Sequence, residues 1–139
     1  MDEAIARRDL AVATRAGRQA RELGMRSRGW QGPMQAADAE LRLGVAGARD
    51  AAPMARELYL IALFRARAEG SVDGALAAAE GFARLGDHEA AVGAAHIASR
   101  AAVRSGDADA AARALLVRER LMRRTADAVD SIQITMPRS

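Results

Sequence analysis

Cysteine and lysine are both missing from this chain of 139 residues, proline occurs only three times (Pro33, Pro53, Pro137), and aromatic residues make up 3% of it. Without Cys there can be no disulfide framework, thiol nucleophile or thiolate zinc site. Scarce Pro leaves long stretches free to be helical. With so few aromatic rings to fill gaps, any core has to be built by close approach of backbones. No apolar run nears the roughly 18 residues that read as a membrane span. The opening MDEAIARRDL begins with acids and has no apolar segment of the kind a secretory signal needs. A soluble, cytoplasmic protein without membrane contact is the expectation.

The absence of Lys also explains the charge. All 21 basic residues are Arg, against 18 acids, so the net charge at pH 7 is only +3 although the pI is 10.8. Arg keeps its proton to very high pH, so the pI overstates the field that a nucleic acid would feel. Several charges are also spaced for pairing along a helix: Glu3 with Arg7, Glu80 with Arg84, Glu119 with Arg123.

What the chain does have is alanine. Half of its residues are apolar and more than half of those are Ala, the best helix former. Apolar positions recur at helical spacing between glycines, predicting helices over about 2 to 23, 33 to 46, 50 to 70, 72 to 85, 88 to 105 and 107 to 130. In the first, Ile5, Val12, Ala16, Ala20 and Leu23 share a face that would turn inward, opposite Arg7, Arg8, Arg15, Arg18 and Arg21. In the second, Met34, Ala37, Leu41 and Val45 line up. The third carries LYLIALF, apolar in every direction, and is expected to be the central element. A buried strand is the rival reading of that run.

The last three segments each begin after a glycine, in AEGSVDGA, RLGDHEAA and RSGDADAA. Gly takes the left-handed conformation that ends one helix, and the following Ser or Asp accepts N–H bonds at the start of the next. An acid two residues on (Asp73, Glu89, Asp109) suits the positive end of the new helix. Asp87 is therefore read as a cap. Gly70 and Gly106 stand 36 residues apart, and Gly32 lies 38 before Gly70, a period that fits helix pairs in an array.

On GDADAA (106 to 111) and GDHEAA (86 to 91), followed by the large apolar Leu115, the chain resembles tetratricopeptide repeats. The likeness covers about 50 to 125; the large aromatic of the first helix appears only as Tyr59 and the closing proline is absent. The chain also looks like the helical tails of large regulators from high-GC bacteria. What the resemblance implies is an all-α fold of antiparallel helix pairs, about six helices, stacked as a short right-handed tetratricopeptide-like solenoid over residues 1–130. Residues 131–139 would then form a flexible or extended tail, in which Ile132, Ile134 and Met136 alternate with polar residues at strand period. Such a tail leaves room for a homodimer.

The resemblance also implies that the first helix of each pair lines a concave binding face. The matching helices offer Arg56, Tyr59, Leu63 and Arg67 on one and the stripe Gly93, His96, Arg100, Arg104 on the other. Guanidinium groups hold carboxylates in a forked geometry, so an acidic peptide or a C-terminal carboxylate is the expected ligand class. Arg56, Tyr59, Arg67, His96, Arg100 and Arg104 are thus the candidate partner-binding residues of a non-enzymatic adaptor, chaperone-like or regulatory module. The alternative is an Arg-rich nucleic-acid-binding or transcription-regulator accessory domain using Arg15, Arg18 and Arg21 with Arg113, Arg120 and Arg124.

RLGDHEAAVGAAH holds the only two imidazoles, His88 and His96, with Glu89 between them. One ion on one helix wants ligands four residues apart, whereas Glu89 and His96 lie about 10.5 Å apart along the axis at 1.5 Å per residue. No catalytic residue, metal or cofactor is assigned. Trp30 is read as packing beneath its loop. Arg118 interrupts the apolar face of the last helix, so that it would pair with a buried acid such as Asp9 or reach out to water.

Overall fold

A computed structural model describes residues 2–135, and those residues form six α-helices and no strand. They are α1 (Asp2–Arg26), α2 (Gln31–Val45), α3 (Ala51–Glu69), α4 (Val72–Arg84), α5 (His88–Ser105) and α6 (Ala108–Thr135). LYLIALF lies within α3, which removes the strand reading. The helical backbone runs on through Thr135 rather than stopping near 130, while Met136 and the residues after it lie outside those described.

Each helix packs mainly against the next in sequence, with narrower contacts of α2 to α4, α4 to α6 and α3 to α5. α1 packs along α2 and meets α3 at its C-terminal end, where Arg65 reaches the Met25 carbonyl. The all-helical, sequentially packed architecture follows from the glycine corners. At the α3–α4 corner Gly70 has φ 69°, the Ser71 N–H bonds the Ala66 carbonyl at 2.8 Å, and the Ser71 hydroxyl accepts from the Gly74 N–H at 3.0 Å. Asp87 does the same for α5, accepting from Ala90 at 3.1 Å, and Asp107 accepts from both Asp109 and Ala110. The last carbonyls of one helix and the first N–H groups of the next are satisfied within a few residues of chain.

The core is thin and alanine-rich. Ala62, Ala66, Ala75, Ala78, Ala79, Ala91, Ala94, Ala95, Ala98 and Ala114 are fully buried, and the largest fully buried side chains are Tyr59, Phe82, Leu58 and Pro33. Tyr59 and Phe82 meet with ring centroids 5.9 Å apart and planes tilted by 59°, within the separation at which aromatic pairs attract. This contact depends on Gly81, where a Cβ would come within 2.6 Å of the Tyr59 ring carbon that bears the hydroxyl. The hydroxyl donates to Asp38 of α2 at 2.6 Å, and Arg84 of α4 reaches the same carboxylate oxygen at 3.4 Å. Burial first, and then the Asp38 carboxylate, push the Tyr59 phenol well above its ordinary range.

Three expected faces turn out differently. In α1 the residues facing the neighbour are Leu10, Ala13, Gly17, Ala20 and Gly24, and Ile5, Val12 and Leu23 are exposed. Small residues face α2 because the backbones nearly touch: a Cβ on Gly24 would stand 2.6 Å from the Gly32 carbonyl oxygen. Val45 of α2 is also exposed, and Glu40 is buried in its stead. α3 is not covered all round, since Leu60 and Phe64 reach the surface. Trp30 is half-buried against the core, as expected, and stacks close to Gly74. Arg118 is half-buried, but Asp9 belongs to α1, which touches neither α5 nor α6. Of the three expected helical ion pairs only Arg7 to Glu3 (3.1 Å) is formed among the described residues; Arg84 turns to Asp38 instead.

Candidate partner-binding groove

α3 and α5 each present one unfilled side to the same surface. On α3, Pro53, Arg56, Leu60, Phe64 and Arg67 fall within about 80° of one another at 100° per residue. All five are exposed. Beside them lie two hollows. One, of about 720 Å³, is bounded by Pro53, Arg56, Leu60 and the α4–α5 corner at Leu85 to Asp87. The other, of about 600 Å³, lies between Phe64, Arg67 and Ala68 of α3 and His96, Ile97, Arg100 and Arg104 of α5. The first hollow lies between the early turns of α3 and the corner that leads into α5 and the second between their later turns, so the two helices run side by side in the same direction. From Pro53 to Arg67 the groove extends about 21 Å at 1.5 Å per residue. That length matches an extended segment of about six residues.

The structure brings Arg67, His96, Arg100 and Arg104 around one hollow. α5 makes this possible because its inward positions are Ala91, Ala94, Ala95, Ala98, Ala101 and Ala102, all buried, so its polar stripe has only one way to face. Among the described residues no carboxylate lies within ion-pair distance of Arg67, Arg100 or Arg104. The Arg104 Nε donates to the Arg100 carbonyl at 3.5 Å, its only hydrogen bond there. Arg67 and Arg104 stand in the last turns of their helices, where the carbonyl ends offset part of their charge. Arg100 lies a turn further in. The site is therefore a cationic hollow with an aromatic edge, because Phe64 is 64% exposed beside it.

Two of the six candidate residues have other duties. Tyr59 is fully buried and belongs to the core contact with Phe82 and Asp38, so it is not in the groove; Leu63 is buried beside it. The face is rotated toward Leu60 and Phe64, the two residues that sequence reasoning left out of the site. Arg56 is on the groove but engaged, its Nη2 lying 2.9 Å from Asp87 Oδ2. Asp87 thus caps α5 with one oxygen and holds Arg56 with the other.

The basic residues of the nucleic-acid alternative are not brought together. Arg15, Arg18 and Arg21 belong to α1, and Arg113, Arg120 and Arg124 to α6, helices that make no contact. Arg113 is paired with Asp73 at 3.1 Å. Arg120 and Arg124 border a smaller hollow with Arg84 and Glu80. His88, half-buried in the first turn of α5, is two turns from His96, and its Nδ1 is buried without a hydrogen-bond partner. Among the described residues no three His, Asp or Glu side chains gather as metal ligands. No described helix is long and apolar enough to cross a membrane.

Searches of protein-family profiles, of curated proteins and of solved structures each give no match for this chain.

Proposed function

We propose that this protein is a non-enzymatic interaction module, a short helical-repeat stack of tetratricopeptide-like character, that holds an acidic segment of a partner protein in the groove between α3 and α5. The observation that carries this reading is the meeting of Arg67, Arg100 and Arg104 around one hollow with, among the described residues, no carboxylate at ion-pair distance. Three guanidinium groups held side by side repel one another, and an incoming carboxylate relieves that repulsion while gaining charge-assisted, forked hydrogen bonds. Phe64, Leu60 and Ile97 supply apolar surface beside the charges, which suits an acidic segment that also carries a bulky apolar residue. The Arg56–Asp87 pair closes the far end of the groove.

Crosslinking and co-purification from the native cells should recover a protein partner. Affinity for that partner should fall at least about tenfold, equivalent to 1.4 kcal/mol, when Arg100 and Arg104 are both replaced by Glu, and should weaken as salt is raised. Tyr59→Phe should leave it unchanged. Binding that survives the double charge reversal would remove the groove from the protein's function.

A further inference from the structure

α1, the first helix of the stack, carries an exposed apolar stripe along one flank. α1 packs on α2 through Leu10, Ala13, Gly17, Ala20 and Gly24, and its Arg21 and Met25 border a hollow on the side of α3. On the side turned away from both neighbours, Ile5, Val12, Ala16 and Leu23 fall within about 40° of one another at 100° per residue. Ile5, Val12 and Leu23 are 53%, 60% and 61% exposed. Directly opposite α2 the helix carries exposed Arg8, Arg15, Glu22 and Arg26, so the apolar stripe runs along its flank beside a charged edge.

The pattern on this face specifies what covers it. Ile5, Val12 and Gln19 recur every seven residues in one row, and Asp9, Ala16 and Leu23 in the row beside it. Two rows at heptad spacing form the seam of a two-stranded coiled coil. Laid parallel on its own copy, the seam would bury Asp9 against Asp9. Laid antiparallel, each row meets the other: Ile5 packs on Leu23, Val12 on Ala16, and Asp9 faces the Gln19 amide, which can donate to it. Along the edge Arg8 and Glu22, both exposed, come opposite each other twice. Arg15 falls beside the two-fold axis. In this direction the seam is self-complementary in hydropathy and in its Arg8–Glu22 pairs, while the two copies of Arg15 flank the axis and turn out to water.

We propose that the protein forms a homodimer in which α1 packs antiparallel against α1 of a second copy, about a two-fold axis beside Arg15. The contact is isologous and closes at two copies, because both molecules use the same stretch of α1. It leaves the α3–α5 groove free and does not depend on the function proposed for that groove.

The full-length chain should show a reversible monomer–dimer equilibrium in sedimentation runs up to hundreds of micromolar. Val12→Glu, a change at an exposed position that should leave helicity and thermal unfolding of the monomer intact, should weaken the dimer at least about tenfold. Arg8→Glu and Glu22→Arg should each weaken it and together restore it. Because the chain has no Cys, single cysteines report the direction: Arg15→Cys should be joined to its own copy by a short bis-maleimide, whereas Ile5→Cys should be joined only when mixed with Leu23→Cys. A protein that stays monomeric at every concentration, a dimer indifferent to Val12→Glu, or efficient self-joining of Ile5→Cys would each overturn the proposal. Arg100→Glu with Arg104→Glu should leave the dimer unchanged.

Discussion

The corners from Gly70 onward and the corner between α1 and α2 are closed by different means. At 70 to 71, 86 to 87 and 106 to 107 a left-handed glycine is followed by a Ser or Asp that accepts N–H bonds of the next helix. At 27 to 30 Gly29 is left-handed too and Ser27 bonds back to Leu23 and Gly24, but the residue ahead of α2 is Trp30, whose side chain makes no capping bond. That corner is tied from outside as well. Arg65 reaches across from α3, 36 to 40 residues away in sequence, and donates to the carbonyls of Met25, Ser27 and Gly29 at 3.1, 2.8 and 3.1 Å. A second tie joins α2 to the rest of the stack, where Tyr59 of α3 and Arg84 of α4 converge on Asp38. Local caps let α3 to α6 turn on their own instructions. α1 and α2 take their position from side chains that arrive only when the remainder is folded.

Removing each kind of closure separates the two. Arg65→Ala should have the largest effect, a loss of about 2 kcal/mol, since it strips charged hydrogen bonds from three carbonyls at once. Hydrogen exchange should accelerate in α1 and the first turn of α2 and stay near normal in α5 and α6. Arg65→Lys should not restore protection, because an ammonium cannot span the three acceptors as a planar guanidinium does.

Tyr59→Phe should cost about 1 kcal/mol by breaking the bond that holds Asp38. It should also change the response to alkali. The Tyr59 phenol is raised in the folded state above its ordinary value of 10.0, so its contribution is intact below that pH and is lost as the pH climbs through the folded value. With no Lys in the chain, this alkaline range is not crowded by ammonium groups. Unfolding followed above about pH 10 should therefore show a decline in the native protein that Tyr59→Phe lacks; equal declines would place the cause elsewhere.

The smallest effect should come from a local cap. Asp107 is exposed, so Asp107→Ala should cost about 0.5 kcal/mol, the low end for such caps. Its exchange signature should be confined to the first turn of α6. A global loss of protection there would contradict the idea that these corners act locally.

The same division runs through what could be foreseen. The helices, the Gly-Ser and Gly-Asp corners and the alanine-lined side of α5 were legible because each depends on residues close in sequence. Arg100, Arg104 and His96 lie on the side of α5 away from its buried Ala91, Ala94, Ala95, Ala98, Ala101 and Ala102, a division the helical spacing alone makes readable. α3 was harder, being apolar on all sides. Tyr59 lies about 60° to one side of Arg56, while Leu60 and Phe64 lie about 40° and 80° to the other. Nothing in the spacing says which side turns inward. α1 misled more fully, because its large aliphatics suggested a buried face and its glycines did not.

By itself, the sequence determined that the chain would be helical, where it would turn, and that Arg67, Arg100 and Arg104 have no acid at helical pairing distance on their own helices. Only the tertiary structure decided that Tyr59 goes inward to Asp38 and Phe82, and that α1 turns Gly17 and Gly24 rather than Val12 and Leu23 toward α2. The reason is steric. Backbones brought close enough for an alanine core to gain contact leave room for small side chains alone, so the larger aliphatic residues of α1 stay outside.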